Sequence, residues 1–507
     1  MKTSLLAVSL LLLGHAAVAA QSSGLAAAAT TITQSDFARG IGVIADDSMQ
    51  GRNTPSPGLD KTAEWVASEF RRFGLRGGAE GGAFVQRYPL VEMVVDRDAS
   101  SLRVVGGPTL RYGADVIPMR GGGDVDVSGP LVVVSGEVDP TALEKAEMEG
   151  RHAWLMPPAA TLSNRRALFA LVGAARTAGA ASVMIAIGDD DRTWASNAAA
   201  AFRPSVGWPG EAQVPGGAAA PALYVRAASL APILEGAGLS AESLTRAERR
   251  MVTVVPGVTL ALTQRVRTDS ASAPNAVGIL EGSDPVLKDE YVVFSAHMDH
   301  MGMGSPDQNG DSIFNGADDD ASGTVAVVEI ARAMASMRPA PRRSVIFLLV
   351  SGEEKGLWGS EYYVTNPSVP LQQMVADLNT DMVGRNWPDT IVAIGKEHSD
   401  LGATLNRVNQ NHPELRMTAI DDIWPEERFY FRSDHYNFAR KGVPVLFFFN
   451  GTHPDYHGRD DEPDRVDSEK AVRIAQLIFY LGVEVANADQ RPKWNPESYR
   501  QIVSGSH

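Results

Sequence analysis

Residues 295–323 bring together a run of His297, Met298, Asp299 and His300 and, past a glycine-rich loop, the stretch Asn315-Gly316-Ala317-Asp318-Asp319-Asp320-Ala321-Ser322-Gly323. Imidazoles and clustered carboxylates are the donors for which a borderline-soft divalent cation exchanges its water, so this stretch predicts a metal site. The chain has no Cys, which leaves His, Asp and Glu as its metal-binding side chains and excludes disulfides. Calcium is disfavoured: the Asp-rich loop lacks the Asp-x-Asp-x-Asp-Gly spacing of an EF-hand, and oxygen-only ligation would leave the histidines unused. Further candidates follow as Gly352-Glu353-Glu354, Asp381 and Tyr456-His457. Each alone reads more readily as a turn, a solvated helix start or a packed histidine.

The elements that must position these residues supply the stronger argument. Residues 291–295, 344–350, 374–378 and 443–449 are short, continuous apolar runs, and residues 323–334 and 468–485 read as helices, the first apolar nearly all round and therefore buried. Buried strands alternating with helices predict an α/β fold with a mixed, mostly parallel central sheet covered by helices on both faces. Each candidate falls just past a strand: His297 and Asp299 after the first, Glu353 and Glu354 after the second, Asp381 after the third, Tyr456 and His457 a short loop beyond the last. That carboxyl edge is where open α/β sheets bind ligands, so residues far apart in sequence converge on one pocket. Ahead of them, Ser56 as cap, Pro57 as first residue and Gly74 as stop predict a helix over 58–73, with Ala63, Val66, Phe70 and Phe73 on one face.

Length and composition set the wider frame. The 507 residues suit two or three domains, and a formal charge of -15 disfavours nucleic acid or an anionic membrane as partner. Lys2, the apolar run 5–13 and the Ala-Val-Ala-Ala that precedes Gln21 have the parts of a cleaved export signal over 1–20, predicting a periplasmic or secreted protein without a membrane anchor. Between residues 108 and 261 charge thins and short apolar runs alternate with Gly and Pro, predicting a compact, mostly β insert that serves as a lid or binding module. The catalytic domain is then discontinuous, 21–107 and 262–492, with 493–507 unassigned.

The motifs His-Met-Asp, Gly-Ala-Asp-Asp-Asp-Ala-Ser-Gly, Ser-Gly-Glu-Glu-Lys-Gly-Leu, Asn-Thr-Asp-Met and Tyr-His-x-x-x-Asp, in this order, resemble those of the M28 family of dinuclear zinc peptidases. Gly51, Arg52 and Asn275-Ala276-Val277 also look like that family, and the insert resembles its protease-associated domain. The resemblance implies two zinc ions bridged by Asp318, one completed by His297 and Asp381 and the other by Glu354 and His457. It implies Glu353 as general base, Asp299 as the partner of the far nitrogen of His297, and Tyr456 as a donor to the developing oxyanion. It also implies a cis peptide from Asp318 to Asp319. His453 is an alternative to His457, which is preferred because Asp461 follows it at the family's spacing. Ser433-Asp434-His435 matches another family motif, expected to be structural or to line the pocket.

The favoured function is a zinc-dependent exopeptidase that releases N-terminal residues from peptides. A glutamate-type carboxypeptidase needs an Arg cluster to grip a substrate carboxylate, and the loop 426–434 offers only Arg428 and Arg432. With Phe429, Tyr430 and Phe431 between them, these read as the wall of a pocket for an apolar side chain or as a surface loop packed on the core. A non-catalytic binding protein on the same fold would be expected to have lost ligands that this chain keeps. A glutaminyl cyclase activity is compatible with the same fold.

Overall fold

In the computed structural model, which describes residues 24–119, 123–137, 139–187, 190–209, 220–245 and 251–505, Ser56 accepts the Leu59 N–H at 3.2 Å and starts the helix Pro57–Arg72. Gly74, at φ +79°, follows its end, and Ala63, Val66 and Phe70 are buried. The expected export signal over 1–20 lies outside the described residues. Among those described, no helix is long and apolar enough to cross a membrane.

The chain divides into two units, one running to Tyr88 and resuming at Ser272, the other spanning Pro89–Ala271. These boundaries correct the expected ones at 107/108 and 261/262. The chain crosses between units within the long strands Val85–Val95 and Val266–Leu280, where no turn or change of composition marks the passage.

In the first unit the elements used below are α1 (Gln34–Ile44), α2 (Pro57–Arg72), β1 (Val266–Leu280), β2 (Tyr291–His297), α3 (Gly323–Ser336), β3 (Ser344–Val350), α4 (Trp358–Thr365), β4 (Met374–Asp381), β5 (Thr390–Ile394), α5 (Leu401–Asn411), β6 (Thr418–Ile420), α6 (His435–Ala439), β7 (Val445–Phe449) and α7 (Ser468–Asn487). The strands run in the order β6-β5-β7-β4-β2-β3-β1. The centre is parallel, with β2 between β3 and β4 and β7 beyond β4. Toward the edges, β1 is antiparallel to β3 and β5 to β7, while β6 is parallel to β5. The sheet is therefore mixed, and the mostly parallel expectation describes its centre only.

Successive residues of these strands serve opposite faces, and both faces are covered. Phe294 and Phe347 stack with centroids 5.7 Å apart. A Cβ on Gly482 of α7 would lie 2.1 Å from the Phe294 ring, so α7 approaches the sheet closely because that residue is glycine. On the other face Val293, Ile346 and Leu348 join Tyr363 of α4 and Phe438 of α6 in one core. Helix α3 is buried on nearly every side, as its uniform apolarity predicts. Within the stretch left unassigned, Asn495 caps the short helix Pro496–Tyr499, and Trp494 donates to the Gly442 carbonyl at 2.9 Å.

The second unit holds an eight-stranded sheet whose centre, Val125–Ser135, His152–Met156, Ser182–Ile187 and Ala222–Arg226, is parallel. It carries more helix than the mostly β expectation, including Asp191–Ala201 and Ala227–Gly236. Alanine is abundant there, and Ala is the strongest helix former.

Candidate metal centre

The parallel strands β2, β3, β4 and β7 all end at one edge, and the chemistry collects there. His297 and Asp381 are the last residues of β2 and β4, and Glu353 and Glu354 form a tight turn just after β3. The Asp-rich loop enters α3 beside them. A fully buried Arg52 fixes that loop to the β2 end by donating to the carbonyls of Met298 at 2.7 Å, Ile44 at 2.9 Å, Asn315 at 2.6 Å and Gly316 at 2.9 Å. Burial draws its guanidinium down to about 10 despite the surrounding Asp319 and Asp299.

The carboxylate at the middle of the cluster is Asp319, not Asp318. His297 Nε2 is 3.4 Å from Asp319 Oδ1 and 3.6 Å from Asp381 Oδ1. On the opposite side, His457 Nε2 is 3.2 Å from Asp319 Oδ2 and 3.3 Å from Glu354 Oε2. Asp318 instead accepts the Gly384 N–H through Oδ1 at 2.6 Å and directs Oδ2 to His453 Nε2 at 3.4 Å. The physical reason is the turn of the backbone: successive side chains of the three-Asp run point in different directions, and only the middle one faces the pocket. The cis peptide is likewise one residue later than expected, between Asp319 and Asp320. His453 is thereby occupied with Asp318, and His457 holds the position the spacing to Asp461 favoured.

The donor set fits divalent zinc. Donors about 2.0–2.1 Å from a tetrahedral ion stand about 3.3 Å from one another, close to the 3.2–3.6 Å separations here. Asp319 Oδ2, Asp381 Oδ1 and Glu354 Oε1 are buried without a hydrogen-bond partner, the condition of oxygens shaped for a cation. Burial alone would raise Glu354, but the His300 and His457 imidazoles hold it below the usual carboxylate range. His457 is pushed up to about 10, burial being outweighed by Asp319 and Glu354.

Surrounding groups hold these donors in place. Asp461 accepts the Asp318 N–H at 3.0 Å and the Asp319 N–H at 3.0 Å, which gives the His-x-x-x-Asp spacing its purpose. Asp320 accepts from Gly323 N at 2.8 Å and Met382 N at 3.1 Å, tying the loop to α3 and to the end of β4. The far nitrogen of His297 lies over Asp299, 3.1 Å from its backbone carbonyl and 3.7 Å from its carboxylate. That carboxylate is engaged by Thr54 Oγ1 at 2.9 Å and by the Glu353 N–H at 3.2 Å. Of the Ser433-Asp434-His435 motif, Ser433 donates to Asp381 Oδ2 at 3.1 Å, Asp434 accepts from Ser360 Oγ at 2.5 Å, and the His435 ring meets the Tyr430 carbonyl at 2.8 Å.

The cluster opens into a solvent-open pocket of about 370 Å³, lined on its polar side by His297, Asp319, Glu353, Asp381, Tyr456 and His457. Its apolar side is Phe429, Phe447 and Phe449, with Met382, Arg432 and Ser433. Burial raises Glu353 well above the usual carboxylate range, with His297 opposing and the nearby Asp434 and Asp381 adding to it. Tyr456 stacks on His457 with centroids 3.9 Å apart and is also raised by burial. Of the predicted aromatic wall, Phe429 lines the pocket, Tyr430 packs into the core and Phe431 is exposed. Besides Asp319, sequence reasoning missed His300, which is fully buried and places Nδ1 3.0 Å from Glu354 Oε1 and 3.6 Å from Asp319 Oδ2. Its signal was its position, three residues after His297 on the same strand-end loop.

A mixed sheet covered on both faces thus carries, at its carboxyl edge, two clusters of His and carboxylate donors that share one Asp. Residues 275–482 match peptidase family M28. A probable zinc metalloprotease of Pyricularia oryzae is 34% identical over 281 residues, 48% of this chain and 54% of its own. The aminopeptidase YwaD of Bacillus subtilis is 26% identical over 233 residues, 44% of this chain and 47% of its own. The chain thus spans about half the length of these curated relatives. In fold it is similar to an aminopeptidase from Aneurinibacillus sp. strain AM-1, at TM-score 0.54 and 16% identity over 92% of this chain and 97% of that one. It is also similar to BSAP, a zinc aminopeptidase from Bacillus subtilis, at TM-score 0.54 and 17% identity over 90% and 96%.

Proposed function

We propose that this chain is an exported, zinc-dependent aminopeptidase whose centre takes two zinc ions. The observation that carries the reading is the division of Asp319, with Oδ1 facing His297 and Oδ2 facing His457 and Glu354. His297, Asp319 and Asp381 would hold one ion, and Asp319, Glu354 and His457 the other. Bound zinc supplies Lewis acidity and a water activated near neutral pH.

The chain's own groups supply the remainder. Glu353, in the pocket and made more basic by burial, is suited in its carboxylate form to accept a proton from the attacking water and pass it to the leaving amine. Tyr456 faces the same space and is suited to donate its hydroxyl hydrogen to the oxygen that gains charge. Phe429, Phe447 and Phe449 suit an apolar first side chain. Export rests on the sequence of residues 1–20 alone.

The carboxypeptidase alternative gains little support. Arg428 lies over the Phe431 ring at 4.9 Å and Arg432 over Phe429 at 4.8 Å, and only Arg432 lines the pocket. The test is hydrolysis of leucine anilide beside that of a peptide with an acidic C-terminal residue. Anilide cleavage that a chelator abolishes and added zinc restores is expected. Preference for the acidic C-terminal peptide would favour the carboxypeptidase, and absence of both zinc and activity a binding protein.

A further inference from the structure

Resting on that reading, we propose that His300 is a resident donor of the second metal position, through Nδ1, so that this position is built from two imidazoles, Glu354 and Asp319. Three observations carry it. His300 Nδ1, an Asp319 oxygen and a Glu354 oxygen lie within 4.8 Å of one another, the spacing expected around one ion. Neither nitrogen of the fully buried ring has a hydrogen-bond partner, although Glu354 Oε1 is 3.0 Å from Nδ1, so that contact lies off the direction in which the ring would donate. A buried imidazole left so is costly unless another ligand satisfies it.

The third observation is that the site is shaped around the ring. Gly316, at φ +57°, passes so close that a Cβ there would come within 2.5 Å of the His300 ring, and the His300 N–H donates to the Arg52 carbonyl at 3.2 Å. His457 flanks the same two carboxylates from the other side, its ring centroid 5.8 Å from that of His300. The two positions then differ in kind. The first has a single imidazole with Asp319 and Asp381, and the second has two, so the second binds zinc more tightly and is the last to lose it.

The experiment is competition between the full-length protein and a chelator, followed by elemental analysis, for the wild type, His300→Phe and His300→Asn. Phe keeps the ring's shape without a donor, and Asn places a polar atom near the Nδ1 position. The expected result is two zinc equivalents in the wild type, with the tighter one weakened more than about 100-fold in His300→Phe and partly recovered in His300→Asn; loss of an outer hydrogen-bond partner alone costs about 10–100-fold. An unchanged tighter equivalent in a His300→Phe protein whose metal-free form melts as the wild type does would overturn the inference, while a wild type that binds no zinc would overturn the underlying function instead. Should His300→Phe not fold, the dicobalt wild type decides. Three hyperfine-shifted imidazole N–H signals, from His297, His300 and His457, are expected, and two would refute a ligating His300.

Discussion

Glu353 and Glu354 are neighbours in one tight turn, yet one faces the pocket and the other contacts two imidazoles. On the proposed function, Glu353→Gln should lower turnover by about 10²–10⁴-fold while zinc content measured by elemental analysis stays near the wild-type level. Equal loss of zinc and activity would place Glu353 among the ligands. This division was legible in the sequence, because two adjacent carboxylates at a strand end cannot point the same way. The choice within Asp318, Asp319 and Asp320 was not. Three identical side chains in a row leave spacing ambiguous by one residue, and the answer depends on backbone turns fixed from afar by Asp461, Gly384 and Met382. His300 escaped for a similar reason, since its value as a donor comes from Gly316 and Glu354, which only folding brings to it.

At the level of elements, four parallel strands deliver their C-terminal residues to one edge, and the segment Phe429–Phe431 brings an aromatic ring against them. Phe429 and Phe449 meet edge to face at 4.9 Å, and Phe449 stacks on Phe447 at 5.2 Å, giving the pocket a rigid apolar wall. Phe429→Ala should lower kcat/KM for leucyl relative to glycyl anilide by about tenfold or more, in line with about 1–3 kcal/mol for apolar pocket contacts. An unchanged ratio would show that the first side chain is bound elsewhere. The strands themselves were readable as continuous apolar runs, and β3 falls on the expected residues. Strand direction was not readable at the edges: whether β1 and β5 run with or against their neighbours is decided by the connections, which leave no mark on the apolar pattern.

At the scale of the whole molecule, the two units carry separate cores and separate liabilities. In the second unit, His152 is buried beside Ser182 Oγ at 2.7 Å, and burial pushes its imidazole down to about 4. Its native pKa lies below its unfolded value, so the unfolded chain binds the proton first. The stability it supports is present above about pH 6.5 and is lost as pH falls toward 4, by up to about 3 kcal/mol. Calorimetry between pH 7 and 5 should show a transition whose midpoint falls with acid, and His152→Asn should flatten that dependence; an equally steep dependence in the variant would assign it to other groups. The existence of an inserted unit was legible from its thin charge. Its limits were not, because the chain crosses at both ends inside a strand. The central claim is that one carboxylate, Asp319, serves both metal positions, and zinc content of the purified full-length chain tests it most directly. Asp319→Asn should bind less than one zinc equivalent while Asp318→Asn retains nearly two, whereas loss of zinc in Asp318→Asn with retention in Asp319→Asn would contradict the account.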